Sequence, residues 1–303
     1  MDKVIVIVGP TGVGKTRLSI ELAKKYNGEI INGDSMQVYK ELNIGTAKIK
    51  EEEKEGIPHH LFSILSYNES NSIYDFQTLV RNKIKEITSK NKLPIIVGGT
   101  GLYLKSCLYD YEFKESNSDN SELLKKYEKY TNIELHEELK KVDPISAEKT
   151  HFNNRRRVLR ALEIYLTNQE SKSNIEAKQE HKLLYDALFI GLTIDRKKLH
   201  HIQDMRVDKM IEEGLVLEAK KLIDCDDFIN STASQAIGYK EFIPYFKNEI
   251  SLEDAIEQIK IHTHQYAKRQ YTFFNNQLNV NWIEVDLDNF NKTIETANNI
   301  IDG

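Results

Sequence analysis

The sequence predicts an α/β fold: a P-loop NTPase-like parallel sheet with helices on both faces, carrying a helical insertion domain. Three observations predict it. The β-branched run Val4–Val8 stops at a glycine-rich loop that ends in Gly14-Lys15-Thr16, which reads as a buried strand feeding a helix through a phosphate loop. Short apolar runs then alternate with amphipathic stretches, the order expected of a parallel sheet whose ligands gather at the carboxyl ends of its strands. From about Glu112 the strand signals stop, and polar, helix-periodic sequence continues to about Tyr185.

Each element has its own reason. Val4–Val8 is short and β-branched, as a strand buried on both faces should be. Lys15 to Tyr26 places Leu18, Leu22 and Ala23 on one side of a helix, with charge between them. Glu29 to Asn32 reads as a second strand, 73–90 as a charged amphipathic helix, and "LPIIVGGTG" (93–101) as a buried strand closing in a tight glycine turn. The stretch 112–185 holds as many acidic as basic side chains, so it predicts a helical block without a general basic character. "ESNSDNS" (115–121) predicts a surface loop within it. "ALFIGLTID" (187–195) returns the chain to the sheet. Helical patterns cover 195–223, 238–247 and 251–275, and "VNWIEVD" (280–286) predicts a last strand before a closing helix. The expected organisation is a P-loop catalytic core of 1–111 and 186–303, with 112–185 as the helical insertion.

The totals exclude several classes. The chain has 303 residues, 40% apolar and 29% charged, enough for a sizeable core. No apolar run approaches the length needed to span a bilayer, and the N-terminus leads straight into a motif, so a cytoplasmic protein with no membrane partner is expected. Cys107 and Cys225 have no Cys/His cluster beside them, which predicts inert thiols and no zinc. A net charge of −5 confines any nucleic-acid footprint to local patches.

Gly9-Pro10-Thr11-Gly12-Val13-Gly14-Lys15-Thr16 matches the phosphate-loop pattern at every fixed position. Its glycines allow successive backbone N–H groups to turn inward as an anion nest at the start of a helix. Lys15 would neutralise a terminal phosphate, and the Thr16 hydroxyl would hold a magnesium ion bridging the phosphate oxygens. An ATPase of this type would also place a carboxylate at the end of another strand, whereas "IIV" (95–97) ends in Gly98-Gly99-Thr100. A di- or triphosphate is expected, but not necessarily ATP.

"INGDSMQVYK" (31–40) puts Asp34 just beyond the second strand. Asp before Ser is a common turn or cap; a carboxylate beside a bound diphosphate can equally take a proton from an incoming nucleophile. Ser35 and Gln37 add donors and acceptors suited to a nucleobase edge.

These motifs, with "NIGTAK" (43–48), "PHHL" (58–61), "VGGTGLY" (97–103), "DPISAEK" (143–149), "NNRRRVLRALEIY" (153–165), "RVDKMIEEGL" (206–215), "QAIGYKE" (235–241) and "YAKRQYTFF" (266–274), resemble the tRNA dimethylallyltransferases, or tRNA isopentenyltransferases, of bacterial type. The resemblance covers nearly the whole chain. It implies transfer of a dimethylallyl group from dimethylallyl diphosphate to the exocyclic N6 of the adenosine 3′ of the anticodon, with magnesium and release of diphosphate. It implies that the phosphate loop grips the diphosphate, that Asp34 is the base, that Thr100 contacts substrate near the bridging oxygen or the adenosine, and that Arg206 adds a cation at the diphosphate. The expected tRNA contacts are Asp34, Ser35, Met36, Gln37, Thr100 and the run Arg156-Arg157-Val158-Leu159-Arg160, with the insertion clamping the anticodon stem-loop and leaving a channel to the core. A monomer is expected.

Charge patterning supports an RNA partner. Arg155, Arg156, Arg157 and Arg160 follow one another with no acid among them, a patch suited to loop phosphates. Lys260, His264 and Lys268 recur at helical spacing beside Arg269, Tyr266 and Tyr271 as a second candidate. The chain departs from the family pattern at "HFNN" (151–154), in "LHHIQDMRVD" (199–208) and around His264 and Asn275, which bears on RNA affinity and secondary diphosphate contacts. Three other readings share part of these features: a P-loop metabolite or nucleotide kinase, a prenyltransferase of free adenine nucleotides, and a noncatalytic RNA-binding module.

Overall fold

In the computed structural model, which describes residues 1–111 and 125–303, the five expected strands and one further short strand assemble into one six-stranded parallel sheet. Its strands are β1 (Lys3–Val8), β2 (Gly28–Asn32), β3 (His59–His60), β4 (Leu93–Val97), β5 (Asp186–Thr193) and β6 (Asn281–Glu284), in the order β3-β2-β4-β1-β5-β6. β1 lies between β4 and β5, with Ile5 opposite Ile95 and Leu188. The central position explains why its sequence is continuously apolar. Val4, Val6 and Val8 feed one core cluster, while Ile5 and Ile7 feed another on the opposite face, as strand alternation requires.

Both faces are covered by helices. α1 (Lys15–Lys25) and the C-terminal helix Phe290–Asp302 contribute Leu18, Leu22, Phe290 and Ala297 to one core. α2 (Ile73–Ser89) and α3 (Gly101–Leu108) contribute Phe76, Val80, Ile84 and Leu104 to the other. α2 starts cleanly because Ser72 and Asp75 form a reciprocal capping box.

The sequence reading differs from the structure in three places. β3 was not expected: two residues carry no periodicity, and they join the sheet because Pro58 O accepts the Ile30 N–H at 2.9 Å. The helical pattern over 195–223 is broken, with helices at Arg196–Glu212 and Leu215–Ile223 separated by Gly214 in the left-handed region, φ +100°. Over 238–247 only Phe242–Phe246 is helical, since Gly238 adopts φ +93° and redirects the chain before it.

The chain divides into two compact units, residues 1–109 with 183–303, and residues 110–182. The second unit contains α4 (Asn132–Val142), α5 (Pro144–Lys149), α6 (Arg155–Asn168) and α7 (Lys172–Ala177). Tyr127, Leu135, Leu139, Ala147, Val158, Ala161 and Leu162 form its core. Asp143 pins it, capping α5 through Ser146 N at 3.0 Å and accepting from Ser173 Oγ at 2.6 Å. The "ESNSDNS" loop prediction falls on 115–121, outside the described residues. In the first unit, the helices completing the set are α8 (Arg196–Glu212), α9 (Leu215–Ile223), α10 (Phe242–Phe246), α11 (Leu252–Gln277) and α12 (Phe290–Asp302).

Candidate active site

The phosphate loop leaves β1 and turns on three glycines with positive φ: Gly9 (+132°), Gly12 (+91°) and Gly14 (+94°). A side chain at Gly9 would bring its Cβ within 2.5 Å of Leu192 O, so the loop is conformationally and sterically committed to glycine there. Lys15, first residue of α1, donates from Nζ to Pro10 O at 2.7 Å. Burial, and next the positive charge of Arg206, pull its pKa down from 10.5 to about 7, against a smaller opposing pull from Asp34.

Arg206 lies on α8. Burial lowers its pKa too, and its guanidinium has no ion-pair or hydrogen-bond partner among the described residues. The Arg206 charge depresses the protonation of Lys15, and no carboxylate contacts the Arg206 guanidinium among the described residues, which defines a place that anionic oxygen would stabilise.

The acidic partner arrives from β2. Gly33 and Gly98 leave the neighbouring strands β2 and β4 so close together that a Cβ at Gly98 would stand 2.1 Å from Gly33 O. This approach brings the Asp34 turn against the Thr100 turn: Ser35 N donates to Thr100 Oγ1 at 3.2 Å. Asp34 Oδ1 accepts from Met36 N at 2.8 Å and Gln37 N at 3.4 Å. The carboxylate is therefore a turn cap through one oxygen, and Oδ2 is left without a hydrogen bond among the described residues. The two sequence readings of Asp34 are compatible, because a carboxylate has an oxygen for each.

A cleft of about 330 Å³ joins Asp34, Thr100 and Arg206. Thr11, Asp34, Ser35, Met36, Thr100 and Arg206 line it, with Tyr266 and Arg269 from α11 and the backbone stretches 45–46 and 235–238. Val207, Met210, Ile237 and Ile259 make part of its wall apolar. α8 and α11 run antiparallel along it, shown by the pairs Asp208–Lys260 at 2.6 Å and Asp204–His264 at 2.8 Å. Gln203 on α8 donates to Thr11 O at 3.2 Å, and Gln270 on α11 donates to Gly99 O at 3.0 Å. Each helix thus fastens one loop of the site. Sequence reading missed both glutamines, although each interrupts an apolar stripe, Leu199/Gln203/Val207 and Ala267/Gln270/Phe274. A polar residue on a buried stripe is the signal that could have found them. Tyr266, whose phenol is pushed above its ordinary pKa by burial and then by Asp34, also reaches Gly99 O at 3.5 Å.

Several expected residues are placed elsewhere. Gln37 does not line the cleft; its Nε2 donates to Thr46 O at 2.9 Å, and it borders a small separate cavity with Thr16 and His59. In the insertion, Arg156 and Arg157 are exposed, whereas Val158 is wholly buried. Helical periodicity turns it inward to the unit's own core, and half-buried Leu159 packs against the same cluster. Arg155 is a structural residue, with its guanidinium bound to Tyr130 O at 2.6 Å and Tyr127 O at 2.9 Å. Arg160 is exposed and paired with Glu163 at 2.7 Å. The second basic patch is also partly spent: Lys260 and His264 face acids of α8, and His264 stacks on His200 at 3.9 Å between centroids. Lys268 and Arg269 remain exposed. Cys107 is buried, with its thiol pushed up to about 12, and half-buried Cys225 points Sγ at Lys221 O, 3.3 Å away.

Comparison with known proteins identifies the lineage. The family model described as IPP transferase matches residues 37–277. The chain belongs to the IPP transferase family. This IPP transferase is 50% identical over 303 residues to the tRNA dimethylallyltransferase of Anoxybacillus flavithermus, covering 100% of this chain and 97% of that relative. Its structure is similar to the tRNA delta(2)-isopentenylpyrophosphate transferase of Staphylococcus epidermidis, with TM-score 0.74, 45% identity, and coverage of 100% and 99% of the two chains. It is also similar to a eukaryotic dimethylallyltransferase captured acting on tRNA, with TM-score 0.87, 36% identity, and coverage of 100% and 80%. The P-loop-like parallel sheet is thus the framework of an IPP transferase.

Among the described residues of this IPP transferase, no group of three or more His, Cys, Asp or Glu side chains could enclose a metal ion. The exposed Thr16 at the start of α1 is a suitable single oxygen donor. That donor set fits a magnesium ion held mainly by substrate phosphate and water, and does not fit a protein cage. No helix among the described residues is long and apolar enough to cross a membrane.

Proposed function

We propose that this protein transfers a dimethylallyl group from dimethylallyl diphosphate to the exocyclic N6 of a tRNA adenosine 3′ of the anticodon, releasing diphosphate. The observation carrying this reading is the pairing within one cleft of Asp34, with a free carboxylate oxygen, and Arg206, whose charge also reaches Lys15 of the phosphate loop. A kinase would need the same cations. The missing carboxylate beyond β4, where the chain turns through Gly98 and Gly99, favours a diphosphate leaving group over a nucleotide being spent.

The chemistry follows from charge. The N6 lone pair attacks the allylic carbon as the C–O bond breaks, and the bonding electrons leave on the diphosphate. The inward N–H groups of the phosphate loop, Lys15 and Arg206 stabilise that developing charge. Magnesium, held at the Thr16 hydroxyl, would add Lewis-acid stabilisation of the same oxygens. Asp34 Oδ2 accepts the N6 proton, which a neutral amine must lose as its new bond forms. Thr100 and Ser35 lie beside Asp34 to orient the base, and Tyr266 and Arg269 line the cleft from α11. Arg156 and Arg157 supply phosphate contacts on the insertion.

Purified protein, magnesium, dimethylallyl diphosphate and unmodified tRNA or an anticodon stem-loop provide the test, with mass spectrometry of the digested RNA. The expected product is one added dimethylallyl group on the adenosine following the anticodon. Modification of free AMP with none of tRNA, or turnover that requires ATP, refutes the reading.

A further inference from the structure

Glu218 lies on α9 and does not line the cleft, yet its carboxylate gathers three donors around a segment that does. Oε1 accepts from Ile44 N at 2.9 Å, from Gly45 N at 3.3 Å and from Tyr239 Oη at 2.5 Å. Tyr239 is fully buried, and burial, with the Glu218 charge second, holds its phenol above the ordinary pKa. It therefore remains a donor. Its ring also packs under Gly45, where a Cβ would come within 2.5 Å of it.

The hydrogen bonds continue toward Asp34. Thr46, adjoining the clamped glycine, accepts the Gln37 side-chain N–H at 2.9 Å, and its own hydroxyl closes the loop onto Leu42 O at 2.7 Å. Lys48 braces the same segment by donating to Asn43 Oδ1 at 3.0 Å and Ser63 Oγ at 2.9 Å. Gln37 N and Met36 N are the two donors that fix Asp34 Oδ1. A continuous path thus runs from Glu218 through the 44–46 backbone and the Gln37 side chain to the turn that aims Asp34.

Resting on the function proposed above, we infer that Glu218, with Tyr239, is a positioning residue for the transfer. It acts through Gln37 to hold Asp34 at the angle where Oδ2 faces the incoming amine. Gln37 is then a strut of the base, a different role from the nucleobase reader its chemistry suggested.

The test is single-turnover prenylation at saturating substrates. Glu218→Ala is expected to slow it by about 10- to 100-fold, the scale of a small misplacement of a catalytic group, with diphosphate and tRNA affinity unchanged. Glu218→Gln keeps an acceptor for the same donors and is expected to restore most of the rate. In an Asp34→Asn background, Glu218→Ala is expected to add no further loss, since both changes disable one base. Multiplying losses, a normal rate in Glu218→Ala, or a glutamine variant as slow as alanine overturns the inference. Tyr239→Phe, which retains the buried ring, replaces Glu218→Ala if the latter does not fold.

A structural readout separates this inference from the function itself. In a crystal structure of the variant, the 2.8 Å bond from Met36 N to Asp34 Oδ1 is expected to break or Asp34 to change rotamer. Unchanged Asp34 geometry overturns the positioning role whatever reaction the protein performs.

Discussion

The depressed pKa of Lys15 makes substrate binding a proton-coupled event. Burial and Arg206 bring this ammonium from 10.5 to about 7 in the ligand-free protein, so its charged fraction falls as pH rises through 7. With a midpoint at about 7, roughly half is charged at pH 7 and about one tenth at pH 8. A bound diphosphate restores the charge by supplying the missing anion. If binding requires the charged form, affinity falls about five-fold from pH 7 to 8, and approaches a ten-fold loss per unit beyond. Calorimetry of dimethylallyl diphosphate without tRNA, in two buffers of different ionisation heat, reads this directly: close to one proton is taken up per ligand at pH 8. Lys15→Arg supplies the reference, because a guanidinium stays charged and its binding is expected to be flat across this range. Stability has the opposite slope. The unfolded chain binds the extra proton between pH 7 and 10.5, so the ligand-free protein gains stability as pH rises through that window, an increment absent from Lys15→Met. Equal affinity at pH 7 and 8 with no buffer dependence of the heat would refute the coupled-cation argument.

Other expected outcomes follow from the same geometry. Asp34→Asn keeps the turn cap but loses the proton acceptor, so single-turnover rate should fall by about 10²- to 10⁴-fold with tRNA affinity nearly intact; an unchanged rate removes Asp34 from the role. Arg206→Ala should lower kcat/KM for the prenyl diphosphate by about 10- to 100-fold, the worth of a charged hydrogen bond, and a loss confined to the tRNA KM would contradict this. Arg156→Ala and Arg157→Ala should each weaken tRNA binding and reduce its salt slope by about 1 without changing the melting temperature. Arg155→Ala should instead destabilise the insertion by about 1–2 kcal/mol through the carbonyls it leaves unpaired, detected as a lower melting temperature.

The frame was legible because local sequence and tertiary demand coincide at it. Val4–Val8 must be apolar on both sides in the middle of a sheet, and only the glycine-rich run after it can turn through three positive-φ positions into α1. Elements with weak local signals were not: two-residue β3 has no period to read, and the breaks at Gly214 and Gly238 lie inside patterns that remain helical by composition. The arginine run divides the same way. Its charge is written in sequence, but the helix rotation that sends Arg155 to carbonyls, Val158 to the core and Arg156 and Arg157 to solvent is fixed by packing of the insertion.

Sequence alone determined the chemistry available: an anion nest with Lys15 and Thr16, a carboxylate at Asp34, and a glycine turn where an ATPase would place a magnesium-binding acid. Only the tertiary structure decided which groups act together. Arg206 and Lys15 are far apart along the chain, as are Glu218 and Gly45, and their effects depend on distance and burial. Coulombic coupling and desolvation are properties of neighbours in space, so no local pattern encodes a lysine near neutrality or an aspartate aimed from a remote helix.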